Sequence, residues 1–218
     1  MHRFAPRSPL CRAASAALVL LAAQAAAPAL RAQSATPAAV TVAAEDPAGF
    51  IRQLGRAASA IVADPNRSPA ERKAALGRLL AAGIDVPAIG KFVLGRYWRI
   101  ATPEQQRDYL DVFGRYLVTV YAGRLAGEGG HELEVVGVQP DGDTTLVHSR
   151  FVQPGDAPPV RLDWRLSRGP GGYRIVDVLV DDVSLAITQR SDFTGAIERN
   201  HGSLQALIDA LKSKVAAG

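Results

Sequence analysis

The chain reads as an α+β protein, a twisted antiparallel sheet of about four strands cupped by helices. Three observations carry that reading. Apolar residues recur at helical spacing up to about residue 126, the period falls to two between 131 and 183, and two further helical segments close the chain from 184 to 214. Strands gathered into one block, with helices before and after, pair with one another rather than across helical crossovers.

The first 32 residues stand apart. Arg3, Arg7 and Arg12 precede an uncharged run from Ala13 to Ala27, and small residues with cleavage points after Ala29 or Ala32 follow. A charged head, a short apolar core and a small-residue exit predict a secretory signal peptide; the run, about 15 residues long, is short of the ~20 that a spanning helix needs. The sole cysteine, Cys11, precedes the run, whereas a lipid-modified cysteine would follow it. This segment also takes four of the 25 Lys+Arg and none of the 21 Asp+Glu, so the rest of the chain balances at 21 of each. That balance leaves no basic footprint for nucleic acid, and a mature chain without cysteine has no disulfide or thiolate metal site. Residues 33–45, rich in Ala, Pro and Thr, read as a flexible lead-in. One domain, 46–218, follows and is expected to be a monomer.

Helices fill 46–126. Asp46-Pro47 is a cap followed by proline at the first helical position, and Phe50, Leu54, Ala57, Ala58 and Ile61 give this helix one apolar stripe. Ser68-Pro69-Ala70-Glu71 is a capping box that opens a second helix to about Ala82, stopped by Gly83. Asp85-Val86-Pro87 opens a shorter one towards Leu94, ended by Gly95. Thr102-Pro103-Glu104-Gln105 starts the longest, to about Leu125, where Tyr109, Phe113, Tyr116, Leu117, Val120 and Tyr121 form an aromatic-rich band. Gly127, Gly129 and Gly130 break the chain.

Four runs then have strand character: Glu132 to Val138, Thr144 to Val152, Val160 to Ser167 and Tyr173 to Val183. Asp141-Gly142, Pro154-Gly155 and the glycines of 169–172 separate them as hairpin connections. In the third run Val160, Leu162, Trp164 and Leu166 alternate with Arg161, Asp163, Arg165 and Ser167, which predicts one buried and one wet face. The sheet thus occupies 131–183, and Ser184 to Asn200 and Ser203 to Lys214 close the domain as helices.

Catalytic patterns are missing from the sequence. It holds no Gly-x-Ser-x-Gly elbow, no phosphate loop and no Gly-x-Gly-x-x-Gly turn, and His131, His148 and His201 are too widely spaced for a local metal motif. No cofactor is expected. One catalytic alternative is a small cavity enzyme of ketosteroid-isomerase type with His148 as base beside Asp177; the competing reading makes His148 a partly exposed strand residue and pairs Asp177 with an arginine.

Leu94, Gly95, Tyr97, Trp98 and Arg99 precede Thr102, Glu104 and Gln105; Asp177 to Leu185 form one further segment; Arg190, Ser191 and Phe193 form another; Gly202, Leu207, Ile208 and Leu211 a last. In order and spacing these motifs, over about 120 residues, resemble the MlaC, or toluene-tolerance, family of periplasmic phospholipid-binding auxiliary proteins of ABC transporters. Asp182 stands where that family has glycine and Gln189 where it has tyrosine, both expected near the mouth of a pocket.

The resemblance implies a lipid cavity between sheet and helices, and a carrier without catalytic activity that shuttles phospholipid through the periplasm between an outer-membrane lipoprotein complex and an inner-membrane ABC transporter complex. A hopanoid or sterol-like lipid is the alternative cargo. Sheet residues assigned to lipid binding are Val147, Phe151, Val160, Leu162, Trp164 and Val178, which suit a closed core as well as a lined cavity; the resemblance favours the cavity. The helical side is assigned to Tyr97 and Trp98, to Phe113, Tyr116, Leu117 and Val120 of the long helix, and to Leu185. Arg190 is assigned either to a lipid phosphate at the rim or to a salt bridge with Asp181 or Asp182.

Overall fold

A computed structural model describes residues 46–127, 132–152 and 158–217. The expected signal peptide and lead-in, Gly129, Gly130, His131 and the Pro154-Gly155 turn lie outside the described residues. The helices are α1 (Pro47–Ala63), α2 (Pro69–Gly83), α3 (Val86–Leu94), α4 (Arg96–Ile100), α5 (Pro103–Gly127), α6 (Leu185–Arg199) and α7 (Leu204–Ala217). The strands are β1 (Glu132–Asp141), β2 (Thr144–Val152), β3 (Val160–Gly169), β4 (Gly172–Val180) and β5 (Val183–Ser184). No helix among the described residues is long and apolar enough to cross a membrane.

Helices start where a side chain can take their free amides. Asp46 accepts from the amides of Ala48 and Gly49 at 2.9 Å each. Ser68 and Glu71 close a reciprocal box, Glu71 N donating to Ser68 Oγ at 3.3 Å and Ser68 N to Glu71 Oε2 at 2.8 Å. Thr102 and Gln105 repeat the device at 3.2 and 3.1 Å. The one-turn α4 was not among the expected helices; Gly95, at φ 53 and ψ −120, separates it from α3.

All neighbouring strands are antiparallel, in the order β1-β2-β3-β4-β5. The expected fourth run divides into β4 and β5, because Asp181 (φ 46) and Asp182 (φ 67) form a two-residue turn with both residues at positive φ. Glycine would suit that backbone; aspartate tolerates it at some cost. Towards the other end of β4 its outer edge is taken by the α2–α3 link, where Ile84 bridges Ile175 and Asp85 N donates to Ile175 O at 2.9 Å.

Two apolar cores result. One joins α3, α4, α5, α6 and α7, with Tyr97, Phe113, Leu117, Phe193 and Ile208 buried in it and Trp98 and Tyr116 packed against it. The other sits between α1 and the sheet, where Phe50 and Ile51 meet Val147, Leu166, Tyr173 and Ile175.

The opposite face of the sheet corrects the expectation of a wet side. Asp163 and Asp177 are only 4% and 5% exposed. Carboxylates accept such burial when they are paired. Asp177 receives Arg165 Nη1 at 3.1 Å and Ser184 Oγ at 2.6 Å on one oxygen, and the amides of Val178 and Ala186 at 2.8 and 3.0 Å on the other. It therefore ties β4 to the start of α6.

Candidate functional site

A part-open cavity of about 300 Å³ lies between α1, α2 and the sheet. Its origin is legible in the side-chain sizes along α1. Large residues at the start of the helix, Phe50 and Ile51, fill the gap to the sheet. Further along, Gly55, Ala58, Ser59 and Ala63 face the same gap and leave it empty, with Val62 the one bulky side chain in that stretch of the wall. The helix cannot collapse onto the sheet, because it already meets Leu133 of β1: a Cβ on Gly55 would stand 2.9 Å from Leu133 Cδ2. Leu76, Leu79 and Leu80 of α2 close one side, and Phe151, Leu162 and Trp164 of the sheet form the floor.

Polarity is scarce in this lining. Among the described residues that line it, Ser59 carries the only hydroxyl and none is charged. The indole of Trp164 donates to Ser149 Oγ at 2.9 Å, and that hydroxyl donates in turn to Leu162 O at 2.7 Å. Ser149 is fully buried, so this chain of bonds satisfies the one polar atom of the indole and leaves its ring to face the cavity. Such a space takes aliphatic chains and rejects ions.

The cavity gathers only part of the residue set assigned from sequence. Phe151, Leu162 and Trp164 line it. Val147 and Val178 belong to the filled end of the same face, and Val160 is half-buried beside its cross-strand partner Phe151 without lining the space. The helical residues lie elsewhere. Phe113 stacks on Tyr109 at 5.3 Å and meets Phe193 edge-on at 5.9 Å, with Tyr116 6.2 Å from the same ring. The aromatic band of α5 is thus consumed in packing on α6, where Tyr97, Trp98 and Leu117 also contribute to the helical core. Desolvation in that core pushes the Tyr109 phenol up, and its proton is held by Gly90 O at 3.2 Å. Val120 and Leu185 are half-buried and outside the lining.

Neither role assigned to Arg190 matches its position. It does not line the cavity, and the acids expected to pair with it are engaged by Arg161, whose guanidinium pairs with Asp182 and whose amide donates to Asp181 at 3.3 Å. Arg190 instead lies over the Phe92 ring at 5.2 Å and against Gly95. Gln189 accepts from the Tyr116 hydroxyl at 3.4 Å, away from the cavity lining.

Neither His148 nor Asp177 lines the cavity. The strand register puts His148 opposite Asp163 and Asp177 opposite Arg165, on the face that alternates with Val147, Trp164 and Val178. His148 Nδ1 lies 3.0 Å from Asp163 Oδ1, with alignment short of a hydrogen bond.

What sequence reading missed is the helical wall. The small residues of 55–63 were its signal: a helix facing a sheet through glycine, alanine and serine leaves room that a leucine stripe would fill.

Comparisons with known proteins agree with this architecture. The family model described as MlaC protein matches residues 53–213. A toluene tolerance protein of Pseudomonas putida is 25% identical over 143 residues, covering 65% of this chain and 66% of its own. The intermembrane phospholipid transport system binding protein MlaC of Haemophilus influenzae is 21% identical over 120 residues, covering 53% and 56%. The matches thus span less than two thirds of either relative. A solved structure, a phospholipid-binding protein from Ralstonia solanacearum in complex with a phospholipid, superposes with a TM-score of 0.66 at 24% identity, over 77% of this chain and 95% of that one. At that identity the likeness is one of fold.

Proposed function

From the premise that this chain belongs to the MlaC family, we propose that it is a periplasmic phospholipid carrier, moving lipid between an outer-membrane lipoprotein complex and an inner-membrane ABC transporter complex. The observation that supports this most is the cavity between α1, α2 and the sheet, whose described lining residues are uncharged and include one hydroxyl, that of Ser59. The phospholipid names of the relatives point the same way.

The energetics suit a carrier. With each methylene taking about the ~30 Å³ that a water molecule fills, 300 Å³ takes about ten methylenes, whose removal from water is worth about 8 kcal/mol at ~0.8 each. A bilayer offers the same tails nearly the same gain. For the stretch of tail that the cavity takes, transfer between membrane and protein is therefore close to balanced, and the partner complexes set its direction. The headgroup, for which the described lining residues offer no charged partner, stays in water.

Native mass spectrometry of protein purified without detergent, followed by lipid extraction, tests this. A phospholipid adduct is expected. Apo protein alone would overturn the carrier reading, and a hopanoid adduct would keep the carrier but change its cargo.

A further inference from the structure

A second concavity shares no lining residue with the cavity. It is a shallow groove of about 610 Å³ between Phe92 of α3 and the outer face of α6. Ile187, Arg190, Ser191, Thr194, Gly195 and Glu198 line it, at the i, i+3, i+4, i+7, i+8, i+11 spacing of one helical stripe. The other stripe of α6, Ala186, Phe193 and Ile197, is buried. Phe92 and Ile187 are 43% and 57% exposed, so two large apolar side chains rim a floor of small ones.

The charges around it are unbalanced. Glu198 is already paired with Arg96 at 2.5 Å. Arg190 stacks on Phe92 at 5.2 Å, and Arg199 folds back over Gly195, its Nη1 3.1 Å from where a Cβ would stand. No carboxylate among the described residues pairs with either guanidinium. Lys91, beside Phe92, is exposed. An apolar groove flanked by two guanidiniums without a carboxylate partner among the described residues complements an apolar ridge flanked by carboxylates.

Building on the carrier reading, we infer that this groove docks a protein segment of one of the two membrane complexes, an amphipathic helix with acidic flanks. A helix ridge reaches the floor at Ser191, Thr194 and Gly195, where small side chains permit close approach; a lipid surface is flat and meets only the rim. Two copies docked groove to groove would set Arg190 and Arg199 against like charges.

The test uses lipid-loaded protein and two surface variants outside the cavity, Ile187→Glu and Arg199→Glu. Binding is measured to the purified inner-membrane ABC complex and outer-membrane lipoprotein complex of the same organism, each in nanodiscs, and to phosphatidylglycerol vesicles; self-association is followed by sedimentation. The expected result is a loss of about tenfold or more in affinity for one complex in both variants, with Tm and lipid load unchanged. Unchanged binding to both complexes overturns the inference and leaves the carrier intact. Loss confined to vesicles, or to self-association, overturns it in favour of a membrane or a second copy. Wild-type protein that carries lipid yet binds neither complex removes the shuttle reading, and this inference with it.

Discussion

A Cβ placed on Gly95 would stand 2.9 Å from Nη2 of Arg190, so the segments around 94–99 and 189–193 are packed directly against each other. Two of the four segments behind the family resemblance therefore meet at a structural joint between α3 and α6, not at the cavity. At φ 53 and ψ −120 the backbone of Gly95 also excludes other residues. Gly95→Ala should cost about 1–3 kcal/mol for backbone strain, plus displacement of the guanidinium. In an Arg190→Ala background only the first part should remain, and a double-mutant cycle in thermal unfolding measures the difference. Strict additivity would mean that the two residues do not constrain one another.

The two ends of the helix-facing side of the sheet should respond oppositely to mutation. Ala58 lines the empty end and Val147 the filled one. Ala58→Phe should displace lipid while the domain stays folded, and Val147→Ala should cost about 1–3 kcal/mol with lipid content intact. Native mass spectra and melting curves of both variants read the two effects side by side; exchanged phenotypes would put the tails against Val147.

Ser149→Ala removes the acceptor for the Trp164 indole and the donor to Leu162 O. A buried N–H left without a partner costs about 1–3 kcal/mol. In a Trp98→Phe background, emission from Trp164 alone should shift and broaden as the ring loses its fixed orientation, and lipid occupancy should fall with it. An unaltered spectrum would show that packing, not Ser149, sets the ring.

Asp182→Gly should stabilise the protein. The left-handed backbone at φ 67 costs a side chain about 1 kcal/mol that glycine avoids, and the exposed pair with Arg161 contributes less than that. Calorimetry should show Tm raised by a few degrees; a lowered Tm would make the ion pair the larger effect.

Sequence alone determined most of the elements of this protein, though not α4 or the division of the last strand run into β4 and β5. Asp46, the Ser68–Glu71 box and the Thr102–Gln105 pair satisfy amides within their own turn, and alternation along Val160 to Leu166 needs only the pleat, so local chemistry was enough to place helices and strands. That alternation set Leu162 and Trp164 on one face of the sheet, equally suited to a closed core or a cavity floor, and only the family resemblance favoured the cavity. The helical wall of the cavity did not follow. An apolar stripe shows that a helix face is covered but not by what, and the aromatic band of α5 met Phe193 of α6 while the small residues of α1 met the sheet. Burial of Asp163 and Asp177 was equally out of reach, because the groups beside them come from other strands and from the start of α6. Only the tertiary structure decided which surface would close and which would stay open, since that depends on the summed volumes of side chains distant in sequence that share one gap.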